Sequence, residues 1–449
     1  MRFLLFALVT TLAAAADRAP DRLVVKFRGD VAAALQQVGL ENYAPSSVAP
    51  LFPRGTAAID ATRRRAERLS GRRLPDLNAY VEIEVAAERS EALLRLLLAS
   101  PLVETAYRPA LAPPPPTDIP PTTPNGEPDQ GYLYAAPEGV EATYAWTKAG
   151  GRGAGIHVVD IEYAWRQAHE DLESTVGASA CYPANPGDYI EHGTAAMGLV
   201  VAGSNGYGVT GLASLAVPAF VSDAPAGMSY SVARAIDCAT TLLAPGDVML
   251  IEAQTYGPTG AFVPVEWDAA EYDAVTIATA AGIVVVEPAG NGGENLDAAA
   301  YLGRFDRNVR DSGAVIVGAG APPDYGTQPD RSRLALSSYG TRVDVQGWGD
   351  DVVTTGYGDA FDGDGDPNQY YTAVFSGTSS ASAMVAGAVA SLRGAQRACN
   401  ATPMLPAYVR SLLASTGSPQ VAGPFSGNIG TRPDLRAAID ALTVDQDGD

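Results

Sequence analysis

The sequence predicts an α/β protein: a three-layer domain, with a parallel sheet covered by helices on both faces, preceded by a small α+β unit. Three observations carry this. From Gly139 onward, short β-branched apolar runs alternate with alanine-rich helical stretches, as in a sheet buried on both sides. Residues 21–110 pair an alternating strand with a leucine-spaced helix, the mark of a smaller, half-exposed sheet. Between the two, Pro113 to Pro116, Pro120, Pro121 and Pro124 make an extended, semi-rigid linker.

The elements follow in chain order. Met1 to Ala16 has a basic start at Arg2, an apolar run and a small-residue end, Ala13 to Ala16. This reads as a secretory signal cut after Ala16. Leu23 to Phe27 suits a strand, Val31 to Gly39 a short helix, and Asn78 to Val85 a half-buried strand. Ser90 to Ser100 carries leucines at helical spacing, and Val103 to Tyr107 closes the unit. Arg63-Arg64-Arg65 and Arg72-Arg73 read as a solvated loop, the usual meaning of a charge run. Farther on, Ile156 to Asp160, Val248 to Ile251, Ile283 to Val286 and Ala314 to Val317 read as buried strands. Tyr230 to Thr241, Trp267 to Ala281 and Ser379 to Leu392 read as helices. The expected divisions are a signal at 1–16, the N-terminal unit at 17–110, a linker at 111–130, the large domain at 131–443 and an acidic tail at 444–449.

Composition narrows the function. The 449 residues are 47% hydrophobic and 18% charged, so a large core is available and wholesale disorder is excluded. The net charge of −21 is uneven. Residues 1–110 hold 15 basic and 12 acidic residues, a net +3, whereas residues 111–449 hold 15 and 39, a net −24. Such acidity argues against nucleic acid as a partner. No later stretch has the roughly 20 apolar residues of a membrane span, so an exported chain, extracellular or periplasmic, is expected. Three cysteines, Cys181, Cys238 and Cys399, allow one disulfide at most, and the sequence leaves the pair open.

Four short segments carry chemistry. Asp160 ends a predicted strand, where an α/β sheet places reactive groups. His192 sits in Glu191-His192-Gly193-Thr194, Asn291 in Ala289-Gly290-Asn291-Gly292 beyond a strand, and Ser379 at the start of a helix. A serine there lies beside backbone N–H groups that stabilise an anion. Each alone reads first as a turn or cap. Together, in the chain order Asp, His, Ser, they match one known order of a Ser-His-Asp triad. His157 reads as a packed strand residue and His169 as a local hydrogen-bonding one. With no His-x-x-His or Cys-x-x-Cys spacing, a zinc site has little support. Asp362, Asp364 and Asp366 place oxygens at alternate positions, as calcium loops do, although Pro367 stands where such loops have Gly.

These motifs resemble the subtilisin-like serine proteases of the subtilase family. The resemblance rests on Val158-Val159-Asp160, His192-Gly193-Thr194, Ala289-Gly290-Asn291 and Gly377-Thr378-Ser379-Ser380-Ala381-Ser382. Flanking support comes from His169-Glu170-Asp171-Leu172, Ser337-Ser338-Tyr339-Gly340 and Val385-Ala386-Gly387. It implies a subtilisin-like fold over roughly 139–442 and a ferredoxin-like inhibitory propeptide at 21–110. It also implies a secreted endopeptidase of polypeptide substrates that is made as a self-processed zymogen, with its own propeptide as a partner and no required cofactor. In roles, the resemblance implies Asp160, His192 and Ser379 as triad and Asn291 as oxyanion donor. The sequence departs from the family at Asp160-Ile161-Glu162, where Asp-Thr-Gly is usual, and at Ala383, where Pro is usual. The usual Ser-Leu-Gly edge has its counterpart somewhere in Glu252-Ala253-Gln254-Thr255. A base of His type predicts activity rising through about pH 6–8. A maximum below about pH 5 would point instead to relatives that use Glu for His, with Glu162 as the suspect. The rival readings are a catalytically silent binding module on this fold and a protease cutting only its own chain.

Overall fold

The computed structural model describes residues 19–109, 123–172, 181, 189–399 and 402–447. The expected signal at 1–16 and residues 111–122 of the expected linker lie outside the described residues.

The N-terminal unit runs β1 (Arg22–Phe27), α1 (Val31–Gln37), β2 (Ser47–Pro50), α2 (Thr56–Ser70), β3 (Tyr80–Glu84), α3 (Ala87–Ala99) and β4 (Val103–Tyr107). Its antiparallel sheet has the order β2-β3-β1-β4. Alternation along β1 and β3 sends Leu23, Val25, Val81 and Ile83 to one face, under α1 and α3. The opposite residues Val24 and Tyr80 face the larger domain. The arginine run is a correction to the sequence reading: Arg63 to Arg65 lie within α2, not in a loop. Ile59 and Ala66 bury the helix's inner side, while Arg63 pairs with Asp60 and Asp76 on the outer side. Charge on one face does not oppose a helix whose other face is buried.

The large domain runs α4 (Ala142–Ala145), β5 (His157–Glu162), α5 (Ile190–Val201), β6 (Val217–Ser222), α6 (Val232–Leu242), β7 (Val248–Ile251), β8 (Gln254–Tyr256), β9 (Phe262–Pro264) and α7 (Ala269–Ala280). It continues with β10 (Val284–Pro288), β11 (Val315–Gly320), β12 (Val345–Trp348), β13 (Val352–Thr355), β14 (Tyr371–Phe375), α8 (Gly377–Ala398), α9 (Pro406–Thr416) and α10 (Leu435–Asp447). Six strands form a parallel sheet in the order β12-β11-β10-β7-β5-β6. Val158, Val248, Leu250, Val284 and Val286 meet the alanine-rich α5 and α8 on one face. Val159, Ile161, Met249, Ile251 and Val285 meet α6 and α7 on the other. This is the expected three-layer arrangement. The expected acidic tail is partly helical backbone, since α10 continues to Asp447. Cys181 is disulfide-bonded to Cys238 on α6, which leaves Cys399 as an exposed thiol. No helix among the described residues is long and apolar enough to cross a membrane.

The two units share a core. Leu51, Phe52, Ile59, Leu77 and Tyr80 join the cluster formed by α6 and α7. Each such buried side chain is worth about 1.5–3 kcal/mol, against about 0–1 for an exposed ion pair, so the apolar seam dominates. The polar contacts set its register. Lys26 Nζ and Tyr80 Oη both reach Asp273 Oδ2 at 2.5 Å, and Arg54 grips Asp237. Replacing Asp273 with Ala leaves Lys26 buried with only the half-exposed Glu104 as counter-ion. We expect a destabilisation of about 2–4 kcal/mol. It should be read as a lower melting temperature of the full chain, with the N-terminal unit opening first in hydrogen exchange.

Candidate active site

The sheet's strand order reverses at β5. From β5 the chain crosses to β6 on one side and then to β7 on the other. Such a switch point opens a crevice at the C-terminal strand ends, where α/β proteins bind ligands. In parallel register, Asp160 lies beside Leu250 and Ile161 beside Ile251. The two-residue period of a strand therefore sends Asp160, Glu162 and Glu252 toward the α5/α8 layer.

Here the structure departs from the sequence expectation. The strand does not end at Asp160 but continues through Ile161 to Glu162. It is Glu162 Oε2 that pairs with His192 Nδ1, and both side chains are buried. Glu162 Oε1 accepts from the Tyr163 N–H at 2.9 Å. Asp160 sits one strand repeat deeper. Its Oδ2 accepts from the Trp165 indole N–H at 2.6 Å, and its Oδ1 has no partner among the described residues. Burial, with the charge of Glu162 second, pushes the Asp160 carboxyl well above the usual carboxylate range. Geometry thus brings His192 to Glu162 and leaves Asp160 behind both. The missing signal was strand length, since Ile161 continues the buried run.

Gly193 explains the close approach. A Cβ on Gly193 would stand 2.5 Å from Ala164 O and 2.6 Å from Glu162 Cγ, so any larger residue would push Glu162 away from the α5 helix. His192 opens that helix, stacked edge-on against Phe375 at 5.3 Å. Its Nε2 is buried with no partner among the described residues.

Ser379 is the third residue of α8 and is almost fully buried. The turn before it uses Gly377 at φ +93°, where a Cβ would come 3.0 Å from Asn291 Nδ2. Asn291 follows β10. Its Oδ1 accepts from the Thr378 N–H at 2.8 Å and from Thr378 Oγ at 2.9 Å, which leaves its NH₂ as the group free to donate. The Asn291 N–H itself donates to Gln254 Oε1 at 2.9 Å. Gln254 and Glu252 flank this site from the segment after β7, and the sequence reading gave neither a role. The segment was located only as the counterpart of a missing motif. Ala383 interrupts nothing, since α8 is continuous from Gly377 to Ala398.

The remaining candidates sort cleanly. His169 is buried, with Nε2 2.7 Å from Tyr370 O and Nδ1 accepting from the Asp171 N–H, a local role as expected. His157 differs from expectation: it starts β5, is half exposed and faces Asp247 at 3.4 Å. Asp362, Asp364 and Asp366 do not form a cation cage. Asp362 and Asp366 turn onto their own backbone N–H groups at Asp364 and Asn368. Among the described residues no three His, Cys, Asp or Glu side chains converge as a metal site.

The architecture is of the α/β class, with a switch point at β5 and a serine in the first turn of α8. Residues 152–430 match the subtilase family of peptidases, S8. The chain belongs to that family and is a subtilisin-like serine protease acting on polypeptides. It is 29% identical over 275 residues to subtilisin DY of Bacillus licheniformis, covering 60% of this chain and 86% of that one. It is 31% identical over 284 residues to the thermophilic serine proteinase of Bacillus sp. strain AK1, covering 60% of this chain and 59% of that one. The fold also matches fervidolysin from Fervidobacterium pennivorans, with TM-score 0.58, 19% identity, and 95% of this chain and 61% of that one covered. It matches the epidermin leader peptide processing serine protease of Staphylococcus aureus with TM-score 0.59, 15% identity, and 94% and 98% covered.

Burial lowers the His169 pKa from 6.5 to about 4. Between those values the unfolded chain binds the extra proton, so stability present above pH 6.5 is lost as pH falls toward 4, by about 3 kcal/mol. Denaturant titrations of wild type and His169→Gln across pH 4–7 should show this slope in the wild type and a shallower one in the variant.

Proposed function

We propose that the protein is a secreted serine endopeptidase, made as a zymogen that processes itself, whose triad is Ser379, His192 and Glu162. The observation that carries the triad is the pairing of His192 Nδ1 with Glu162. A carboxylate on Nδ1 fixes the tautomer that leaves Nε2 as the base, and it stabilises the imidazolium that forms. The unpartnered His192 Nε2 then takes the proton of Ser379 Oγ as this oxygen attacks the scissile carbonyl. The oxyanion is met by Asn291 Nδ2 and the Ser379 N–H at the positive end of α8. The tetrahedral intermediate collapses, His192 returns the proton to the leaving amine, and the acyl group stays on Ser379. A water activated by the same imidazole then releases the acid.

Secretion is supported by the signal-like start. The zymogen reading is supported by where the N-terminal unit ends. Tyr107 Oη donates to Glu271 Oε2 at 3.2 Å, and Pro109 lines a small cavity with Tyr230, Gln254 and Thr255. The chain therefore leaves the unit beside the segment that holds Asn291. The cut is expected between about Tyr107 and Tyr132, because linkers are where proteolysis concentrates. N-terminal sequencing of the secreted product should find a start in that interval for wild type. Ser379→Ala should keep residues from about Asp17 onward attached.

Steady-state kinetics separate the carboxylates. Glu162→Gln should lower kcat by about 10⁴, the cost of a wrong tautomer, whereas Asp160→Asn should lower it by about tenfold or less. Equal losses would return Asp160 to the triad. Asn291→Ala should lower kcat by about 10²–10³, a magnitude established on a member of this same family.

A further inference from the structure

Glu252 stands where the crevice meets the nucleophile helix. Its N–H donates to Ile161 O at 3.0 Å, fixing it against the end of β5. Its Oε1 lies 2.7 Å from Ser382 Oγ, one helical turn beyond Ser379. Its Oε2 is buried without a hydrogen-bond partner among the described residues, as is the neighbouring Asp160 Oδ1.

The hydrogen count around Ser382 is informative. Its hydroxyl has one proton, yet three acceptor oxygens surround it: Glu252 Oε1, Thr378 O at 2.8 Å and Ser379 O at 3.0 Å. An ionised Glu252 would take that proton and leave the helix carbonyls without it. A protonated Glu252 removes the conflict by donating to Ser382 Oγ, which in turn donates to the carbonyls of α8. The surrounding charges favour the same state. Asp160 and Glu162 face Glu252 from β5, while Ser379 and Ser382 face it from α8. His192 on α5 is paired to Glu162, and Asp223, beyond β6, bears on Glu162. Burial first, then Asp160, raises Glu252 well above the usual carboxylate range.

We propose that Glu252 is a positioning residue for the nucleophile, acting as a neutral carboxylic acid that donates to Ser382 and so holds the first turn of α8. Loss of its proton breaks that bond and puts a negative charge beside Ser379, where the oxyanion must form. The rate should therefore fall as Glu252 ionises, giving the enzyme an alkaline limit that His192 does not set. This rests on reading Ser379 as the nucleophile.

The test is the pH profile of fluorophosphonate labelling of the purified protein after self-processing, alongside kcat/KM on a peptide substrate. Glu252→Gln keeps a neutral donor to Ser382 and cannot ionise. It should stay within about tenfold of wild type at neutral pH and move the alkaline limb upward by about one pH unit or more. Glu252→Ala, which removes the donor, should lose about 10²-fold across the range. An unchanged alkaline limb in Glu252→Gln, or a loss there equal to that of Glu252→Ala, overturns the inference and leaves the nucleophile intact. Wild type that is unlabelled at every pH overturns the nucleophile reading itself. If Glu252→Gln does not fold, Ser382→Ala probes the same bond by infrared spectroscopy. At neutral pH the wild type should show a protonated-carboxyl band that shifts in Ser382→Ala; a band that does not move counts against the donor.

Discussion

The pairing of His192 with Glu162 is the contact around which the crevice is arranged. It joins the end of β5 to the start of α5 through two buried polar side chains, and breaking such a pair costs about 3–5 kcal/mol. Everything nearby serves its geometry. The strand runs three residues beyond Val159 to reach it. Gly193 removes the side chain that would hold the two elements apart, and Phe375 closes over the imidazole. The topological reversal between β6 and β7 supplies the opening in front of it.

Much of this fold was legible because its signals are local and redundant. The β-branched runs at Val248, Ile283 and Ala314 became parallel strands, the first with the expected bounds and the other two starting one residue later and running two or three residues farther. The alanine-rich run after Ser379 became the longest helix among the described residues, buried through nearly its whole length. Small residues there allow α8 to lie against the sheet and against α5, so composition and packing give one message. The N-terminal unit was also visible, because alternation in β3 and the leucines of α3 mark one buried face each. What was not visible depended on partners distant in sequence. Arg63 to Arg65 look like a solvated run until Ile59 and Ala66 are seen against α7. The disulfide needed the approach of Cys181 to α6, which no spacing encodes.

The candidate site residues differ in how local their signals are, and the structure pairs His192 with Glu162 rather than with the expected Asp160. His192, Asn291 and Ser379 occupy short motifs whose function depends on an immediate neighbour, such as Gly193, Gly290 or Gly377, so the motif carries the geometry. The acid does not work that way. Asp160 and Glu162 share one face of one strand, two residues apart, and either could meet an imidazole. Only the depth at which α5 crosses decides between them. That depth is a property of packing between Gly193 and Ala164, and it favours the residue nearer the crevice.

Carboxyl crowding completes the physical picture. Asp160, Glu162, Asp223 and Glu252 are all buried, and four carboxylate charges so close would repel by several kcal/mol even at an effective dielectric of about 20. The arrangement is tolerable only if charge is confined. Glu162 has the imidazole as a partner, whereas Asp160, Asp223 and Glu252 all have pKa values pushed upward by burial. Of the four, Glu162 is the one that pairs with His192. The acidity of the domain surface follows a separate logic. There Asp237 and Asp273 are covered by the N-terminal unit, and Arg54 and Lys26 of that unit supply the counter-charges that buried carboxylates need. The charge asymmetry along the sequence thus has a counterpart in space: basic residues of the first segment sit on acidic side chains of α6 and α7, whereas burial pushes Asp160, Asp223 and Glu252 in the crevice toward their neutral forms.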